Sequence, residues 1–216
     1  MNKPSSDRRH VTLVDLQIQN ILSVSHALHV VGAEVIVARD AATIVAADLL
    51  LLPGVGSFSE ASRRLFETGL AQAIQQHVLV QQRPLVGLCL GMQLLADSSE
   101  EHGIHPGLGL IPGTVMKLQE QPPEHRVPNV GWRTVHLSEN AAPLLPRPLD
   151  GADFYHVHSY HFLVSDPAHR IGVSRFGGTG IASIVRRDRV LGTQFHPEKS
   201  QEPGLDLLHA LVCHFR

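Results

Sequence analysis

The chain holds only two cysteines, Cys89 and Cys213, among 216 residues. With no Cys-x-x-Cys pair they form neither a disulfide framework nor a thiolate metal site, and they fit a reducing compartment in which a thiol stays free. No surplus of one charge exists either: 18 Lys and Arg against 20 Asp and Glu give a formal charge of −2. Basic residues gather only in short clusters such as Arg186-Arg187-Asp188-Arg189, which argues against nucleic acid or an anionic membrane as the main partner. Long apolar runs are missing, since residues 30–38 and 49–55 are interrupted or far too short to span a bilayer. Residues 1–9 are polar and lack the apolar stretch of a secretory signal, so a frayed tail is expected there, followed by one domain over residues 10–216 in a cytoplasmic protein. Also absent are G-x-G-x-x-G, a Gly-Lys-Ser/Thr ending and His-Glu-x-x-His, so no phosphate loop, cofactor or metal is expected.

What is present centres on Pro84-Leu85-Val86-Gly87-Leu88-Cys89-Leu90-Gly91-Met92-Gln93. A short apolar run suited to a buried strand ends in Gly-x-Cys-x-Gly, and the helix-forming residues 92–96 follow at once. This is the pattern of a nucleophile elbow with cysteine in place of serine. In so tight a strand-turn-helix bend the nucleophile takes a strained backbone conformation, and side chains two residues before and after it would collide. Cys89 is thus pushed out of the turn at a helix N-terminus, where free N–H groups and the macrodipole favour thiolate over thiol.

About a hundred residues later comes Gln194-Phe195-His196-Pro197-Glu198-Lys199-Ser200. Successive residues of a strand alternate faces, so His196 and Glu198 are expected to point the same way, with Pro197 fixing the backbone between them. An imidazole can then take the thiol proton while the carboxylate orients the ring and stabilises the imidazolium. The His-Pro-Glu tripeptide is weak alone and becomes strong when paired with the elbow. Together they supply complementary parts of one mechanism, with Cys89, His196 and Glu198 as catalytic residues.

The order of elements is that of an α/β fold. Strands are expected at residues 10–15, 33–38 and 48–52, with a helix at 19–31 between the first two and another at 58–68 after the third, and strands that are apolar on both faces imply a parallel sheet covered on both sides. Ligands of such sheets sit at the carboxyl ends of the strands, where both Pro53-Gly54-Val55-Gly56 and the Cys89 elbow lie. From residue 113 short strands take over, at 114–118, 134–137, 153–162, 171–176, 181–186 and 190–196, the last two joined as a hairpin through Arg187-Asp188. Residues 202–215 close the chain as a helix. The expected fold is therefore an open, mixed, mostly parallel sheet flanked by helices, with additional antiparallel strands in the C-terminal half. Among the histidines at 156, 158 and 161, two at i and i+2 could share a strand face, but nothing completes a metal set around them.

The elbow, the Pro53 loop and the His-Pro-Glu segment together resemble a class I glutamine amidotransferase, and among these the glutaminase subunits of imidazole glycerol phosphate synthases, from about residue 10 to the C-terminus. The resemblance implies that glutamine is hydrolysed to glutamate and ammonia. The oxyanion would meet N–H groups at Leu90 and in the Gly54-Val55 loop, and the ends of glutamine would be gripped by Gly56, Gln93, Glu101, His158, Ser159 and Tyr160. It also implies a heterodimer in which the ammonia passes to a (β/α)8 barrel cyclase, with Asn20, Trp132 and Lys199 on the partner face.

Two segments depart from the family's pattern. Asp15-Leu16-Gln17-Ile18-Gln19-Asn20 stands where Asp-Tyr-Gly-x-Gly-Asn is usual, and Pro128-Asn129-Val130-Gly131-Trp132-Arg133 where Pro-His-Met-Gly-Trp-Asn is typical. Both bear on the partner rather than on the three catalytic residues. They leave open a glutaminase for another synthase, in polysaccharide sugar amination or pyridoxal phosphate synthesis. A stand-alone γ-glutamyl hydrolase would use the same three residues.

Overall fold

The computed structural model describes residues 9–18, 21–120, 126–141 and 144–215. Its first half alternates strand and helix as expected: β1 (Arg9–Val14), α1 (Leu22–Val30), β2 (Ala33–Ala38), α2 (Ala41–Ala46), β3 (Leu50–Leu52), α3 (Phe58–Glu67) and α4 (Leu70–Gln75), which runs on into a π-helical turn at Gln76–Val80. Then come β4 (Leu85–Leu88), α5 (Leu90–Gln93) and the two-residue strands β5 (Ser98–Ser99) and β6 (His105–Pro106). The second half is β7 (Gly113–Lys117), β8 (Asn129–Leu137), β9 (Ala152–His158), β10 (Tyr160–Val164), β11 (Arg170–Phe176), β12 (Thr179–Arg187), β13 (Val190–Thr193) and α6 (Gln201–His214).

Nine strands form one mixed sheet in the order β2-β1-β3-β4-β13-β12-β11-β8-β9. β2, β1, β3, β4 and β13 pair in parallel, and the strands beyond β13 continue the same sheet antiparallel. The inner parallel strands β1, β3, β4 and β13 are buried on both faces because their apolar residues alternate between two cores, whereas the edge strand β2 leaves Ile36 and Val37 exposed. Leu50 and Leu52 of β3 pack with Ile44, Phe58, Leu65 and Ile74 on one side. Leu51, with Val86 and Leu88 of β4, packs with Leu28, Leu207 and Leu211 on the other. Removing that surface from water is worth about 1.5–3 kcal/mol per large side chain. No helix of the described residues is long and apolar enough to cross a membrane.

Several expectations need correction. Arg9, placed in the tail, opens β1 in register with Ala33, because the parallel ladder with β2 reaches that far; residues 1–8 lie outside the described set. Helix α1 starts at Leu22, and Gln19 and Asn20 also lie outside it. The single strand expected over residues 153–162 is two, broken at Ser159: β9 pairs with β8 in the large sheet, and β10 pairs with β7 in a separate sheet of order β10-β7-β5-β6. The helix after Cys89 is one α-turn only. Beyond it the carbonyls of Leu94, Leu95 and Ala96 are taken by N–H groups of residues 108–111, at 2.8–3.0 Å, which stops further winding. Such a turn carries little macrodipole, so the elbow must rely on the local N–H groups of its first residues.

Candidate active site

The elbow has the strain its motif implies. Cys89 sits at φ 51°, ψ −107° between β4 and α5. A Cβ on Gly87 would lie 2.5 Å from the carbonyl oxygen of Gly91, and one on Gly91 would lie 1.8 Å from that of Leu52. Glycine is required at both positions because the turn closes on itself and on the end of β3.

The elbow and the histidine segment meet because β4 and β13 are parallel neighbours, with Leu88 opposite Thr193. The Cys89 N–H donates to the Thr193 carbonyl at 2.7 Å. Strand β13 ends there, so His196 and Glu198 do not share a strand face. His196 instead caps a 3-10 turn, Pro197–Lys199, and the tight turn brings the carboxylate back to the ring: His196 Nδ1 lies 2.9 Å from Glu198 Oε1. The backbone around the ring is clamped, with the His196 N–H on the Tyr155 carbonyl (2.9 Å) and the Ser200 hydroxyl on the His196 carbonyl (2.6 Å). Phe195, fully buried and stacked on Phe154 at 4.1 Å, anchors the segment beneath.

With Nδ1 donated to Glu198, the buried His196 Nε2 has no hydrogen-bond partner among the described residues. Burial of the ring opposes its protonation, but the Cys89 sulfur and the Glu198 carboxylate outweigh this and push its pKa up to about 10. The imidazolium is thus the favoured form beside the sulfur. Cys89 and His196 both line a cavity of about 360 Å³ with Val55, Gly56, Leu90, Gln93, Glu101 and residues 157–160. Gly54, Val55, His196 and Glu198 also border a smaller space of about 20 Å³ behind it.

The expected glutamine contacts are gathered around the same cavity, several with work of their own. Glu101 accepts the N–H of Phe58, the first residue of α3, through Oε2 at 2.6 Å. Gln93 Nε2 donates to the Tyr160 carbonyl at 3.0 Å and to Gln194 Oε1 at 3.1 Å. The His158 ring donates from Nδ1 to the Tyr160 carbonyl (2.9 Å) and accepts from Asn129 Nδ2 (3.0 Å), so only its backbone is left for a ligand. The break between β9 and β10 at Ser159 is what turns residues 158–160 toward the cavity. Burial pushes the pKa of His156 down to about 4, and burial with the nearby His156 pushes that of His158 down to about 3, so both rings stay neutral. Among the described residues no three His, Cys, Asp or Glu side chains come together as a metal set.

A model of the family described as class I glutamine amidotransferase matches residues 12–212. The chain belongs to this family. Among curated relatives it is 40% identical over 205 residues to imidazole glycerol phosphate synthase subunit HisH of Rhodospirillum rubrum, covering 92% of this chain and 95% of that one. It is 39% identical to subunit HisH 1 of Campylobacter jejuni, covering 92% and 96%. Solved structures agree on the fold: a crystal structure of a glutamine amidotransferase superposes with a TM-score of 0.70 at 19% identity over 92% of this chain and 98% of that one. PurLQS from Thermotoga maritima superposes with a TM-score of 0.70 at 16% identity over 97% of this chain and all of that one.

Two further regions lie where the partner face was expected. Val55 and Val157 of the cavity lining are exposed apolar side chains, and so are Val130 and Trp132. Val130 and Trp132 of β8 lie opposite Val157 and Tyr155 of β9, with Trp132 edge-on to Tyr155 at 5.9 Å. Lys199 is exposed directly after Glu198, while Asn20 is outside the described residues. In the departing segment after β1, the buried Asp15 holds Arg39 Nε at 2.8 Å and the Gln17 N–H at 2.8 Å, with Gln17 at φ 59°. Sequence reading gave no role to Gln194 or Asn129. Gln194 stood inside the quoted histidine motif and Asn129 inside the quoted segment 128–133, and no local pattern set either apart.

Proposed function

We propose that the chain is a glutaminase that hydrolyses glutamine through Cys89, His196 and Glu198 and passes the ammonia to a (β/α)8 barrel cyclase. The observation that carries this reading is the common cavity: a strained, glycine-flanked cysteine and a carboxylate-held imidazole line it together. The thiolate attacks the side-chain amide carbon, and the electron pair of the C=O bond moves to oxygen. His196 gives its Nε2 proton to the departing nitrogen as the C–N bond breaks and ammonia leaves. A water that gives its proton to the now neutral ring then attacks the thioester, releasing glutamate and restoring the thiolate. Glu198 keeps Nδ1 protonated and the ring aimed at the sulfur.

The substrate side follows the cavity wall. The Glu101 carboxylate takes the α-ammonium, Gly56 and residues 158–160 offer backbone and hydroxyl groups to the other end, and Gln93 holds the wall. N–H groups of Leu90 and of Val55 receive the oxyanion once the Gly54-Val55 peptide turns. The exposed Trp132 strip, Lys199 and the neighbourhood of Asn20 meet the partner. The HisH names of the relatives support a cyclase that makes imidazole glycerol phosphate and aminoimidazole carboxamide ribotide in histidine biosynthesis. We place the reaction in the cytoplasm, where Cys89 stays reduced.

Synthesis by the purified complex tests this. Cys89→Ala in this chain should abolish product formation from glutamine and leave formation from added ammonium salt intact. Glutamine-dependent synthesis that survives the substitution would sink the reading.

A further inference from the structure

Two buried amides link the substrate end of the cavity to the sulfur. The Tyr160 carbonyl accepts from both His158 Nδ1 and Gln93 Nε2. A carbonyl only accepts, so Gln93 must turn its NH2 toward it, and that same nitrogen reaches Gln194 Oε1. Gln194 is therefore held with its oxygen toward Gln93 and its Nε2 toward Cys89 Sγ, 3.8 Å away. The two ends of a side-chain amide are nearly alike in shape, but here one backbone carbonyl sets the direction of both. Gln194 is 0% exposed and Gln93 5% exposed. Amides buried this deeply keep their orientation because an unpaired N–H there is costly.

We propose that Gln194 is a further residue of the reaction, donating its amide N–H to the Cys89 sulfur and favouring thiolate over thiol; this rests on the reading of Cys89 as the nucleophile. A thiol sulfur is a weak acceptor and a thiolate a strong one, so the contact strengthens as the proton leaves. It acts beside the His196 imidazolium without carrying charge, and so persists after the imidazolium has given up its proton. During acylation sulfur becomes a thioester and the contact weakens. When water cleaves that thioester, the C–S electron pair returns to sulfur while the water proton passes to His196, and the same N–H stabilises the departing thiolate. Gln93 is the positioning residue that keeps Gln194 facing the right way.

The test is the pH dependence of Cys89 alkylation by iodoacetamide, read at the Cys89 peptide by mass spectrometry, in the full chain and in Gln194→Met and Gln194→Glu. Met fills similar volume with no donor. Glu keeps the acceptor for Gln93 and turns an oxygen to the sulfur, so it carries the test alone should the Met variant not accumulate. The apparent pKa of alkylation should rise by about one pH unit in Gln194→Met, a roughly tenfold slower reaction at neutral pH, with rates meeting those of the unaltered chain at high pH. Gln194→Glu should shift it further. Unchanged profiles, or rates lowered equally at every pH, would overturn the role of Gln194. If Cys89 of the unaltered chain reacts at no lower pH than Cys213, the reading of Cys89 itself fails, whatever the variants do.

Discussion

The backbone N–H of Leu90 points at the carbonyl oxygen of Gly54, 3.4 Å away. That N–H is one of the two donors proposed for the oxyanion, and here a carbonyl stands in its path. Because a trans peptide holds its C=O and N–H on opposite sides, the Val55 N–H of the same peptide is turned away whenever the Gly54 carbonyl is turned in. Rotating the peptide by about half a turn would exchange them, giving two donors where there was one repelling dipole. Gly54 suits this position, since a Cβ there would lie 2.6 Å from the Leu90 Cβ.

Labelling should separate the two thiols. Cys89 lies at the elbow beside His196, whereas Cys213 sits on α6 near His209, 3.5 Å from its Nε2. A diazo-ketone analogue of glutamine should modify Cys89 and leave Cys213 untouched, as read by peptide mass spectrometry. Equal labelling of both would remove the site assignment.

The base and its orienting carboxylate should differ in weight. His196→Asn should lower glutamine turnover by about a hundred- to ten-thousandfold in the assembled enzyme, the usual worth of a general acid and base. Glu198→Gln should cost less, because an amide oxygen can still accept from Nδ1, 2.9 Å away, although it cannot stabilise the imidazolium. Full activity in His196→Asn would exclude the proposed mechanism.

The sequence carried the parallel half and the chemistry more clearly than the geometry between them. Apolar strands around Leu51 and Val86 and the Gly-Leu-Cys-Leu-Gly elbow are set by local pattern, and they fold as that pattern reads. The His196-Glu198 pair was recognised for a reason that does not hold: Thr193 ends the strand, and a 3-10 turn rather than strand alternation brings the two side chains together. The break at Ser159 left no local mark, because it comes from β9 and β10 joining different sheets. Nor could the Gln93-Gln194 pairing be read, since the two residues are 101 apart in sequence and meet only through the β4-β13 ladder.

Buried neutral histidines should make the fold acid-sensitive in a definite window. His156 and His158 have pKa values lowered from 6.5 to about 4 and about 3, and His77 and His161 are shifted the same way by burial. The unfolded chain binds protons at these sites below pH 6.5 while the folded chain does not, so stability should fall as pH drops from about 6.5 toward 4. The slope is at most about 1.4 kcal/mol per pH unit for each histidine. His196, raised to about 10, has the opposite sign: its contribution is complete below pH 6.5 and is lost as pH rises through 10. Urea unfolding between pH 7 and 4.5 should show the decline, and His156→Gln should flatten it. Parallel slopes for the two proteins would contradict this.

The close approach of the elbow to β3 predicts a large cost for one methyl group. Gly91→Ala places a carbon 1.8 Å from the Leu52 carbonyl oxygen, which neither backbone can yield without opening the turn. A loss of at least about 2 kcal/mol in urea unfolding is expected, together with loss of selective Cys89 labelling. Wild-type stability in this variant would mean that the elbow is looser than described.

Keeping the Gly54 carbonyl turned toward Leu90 until a partner docks at the nearby Trp132 surface would stop ammonia being released before an acceptor is ready. The most direct measurement is glutamate release from glutamine by this chain alone, with the barrel cyclase, and with the cyclase plus its acceptor substrate. The predicted result is very slow release from the isolated chain and at least about a hundredfold acceleration in the complete mixture, the scale of one recovered oxyanion donor. Equal rates in all three mixtures would contradict the switch and identify the chain as a hydrolase that works on its own.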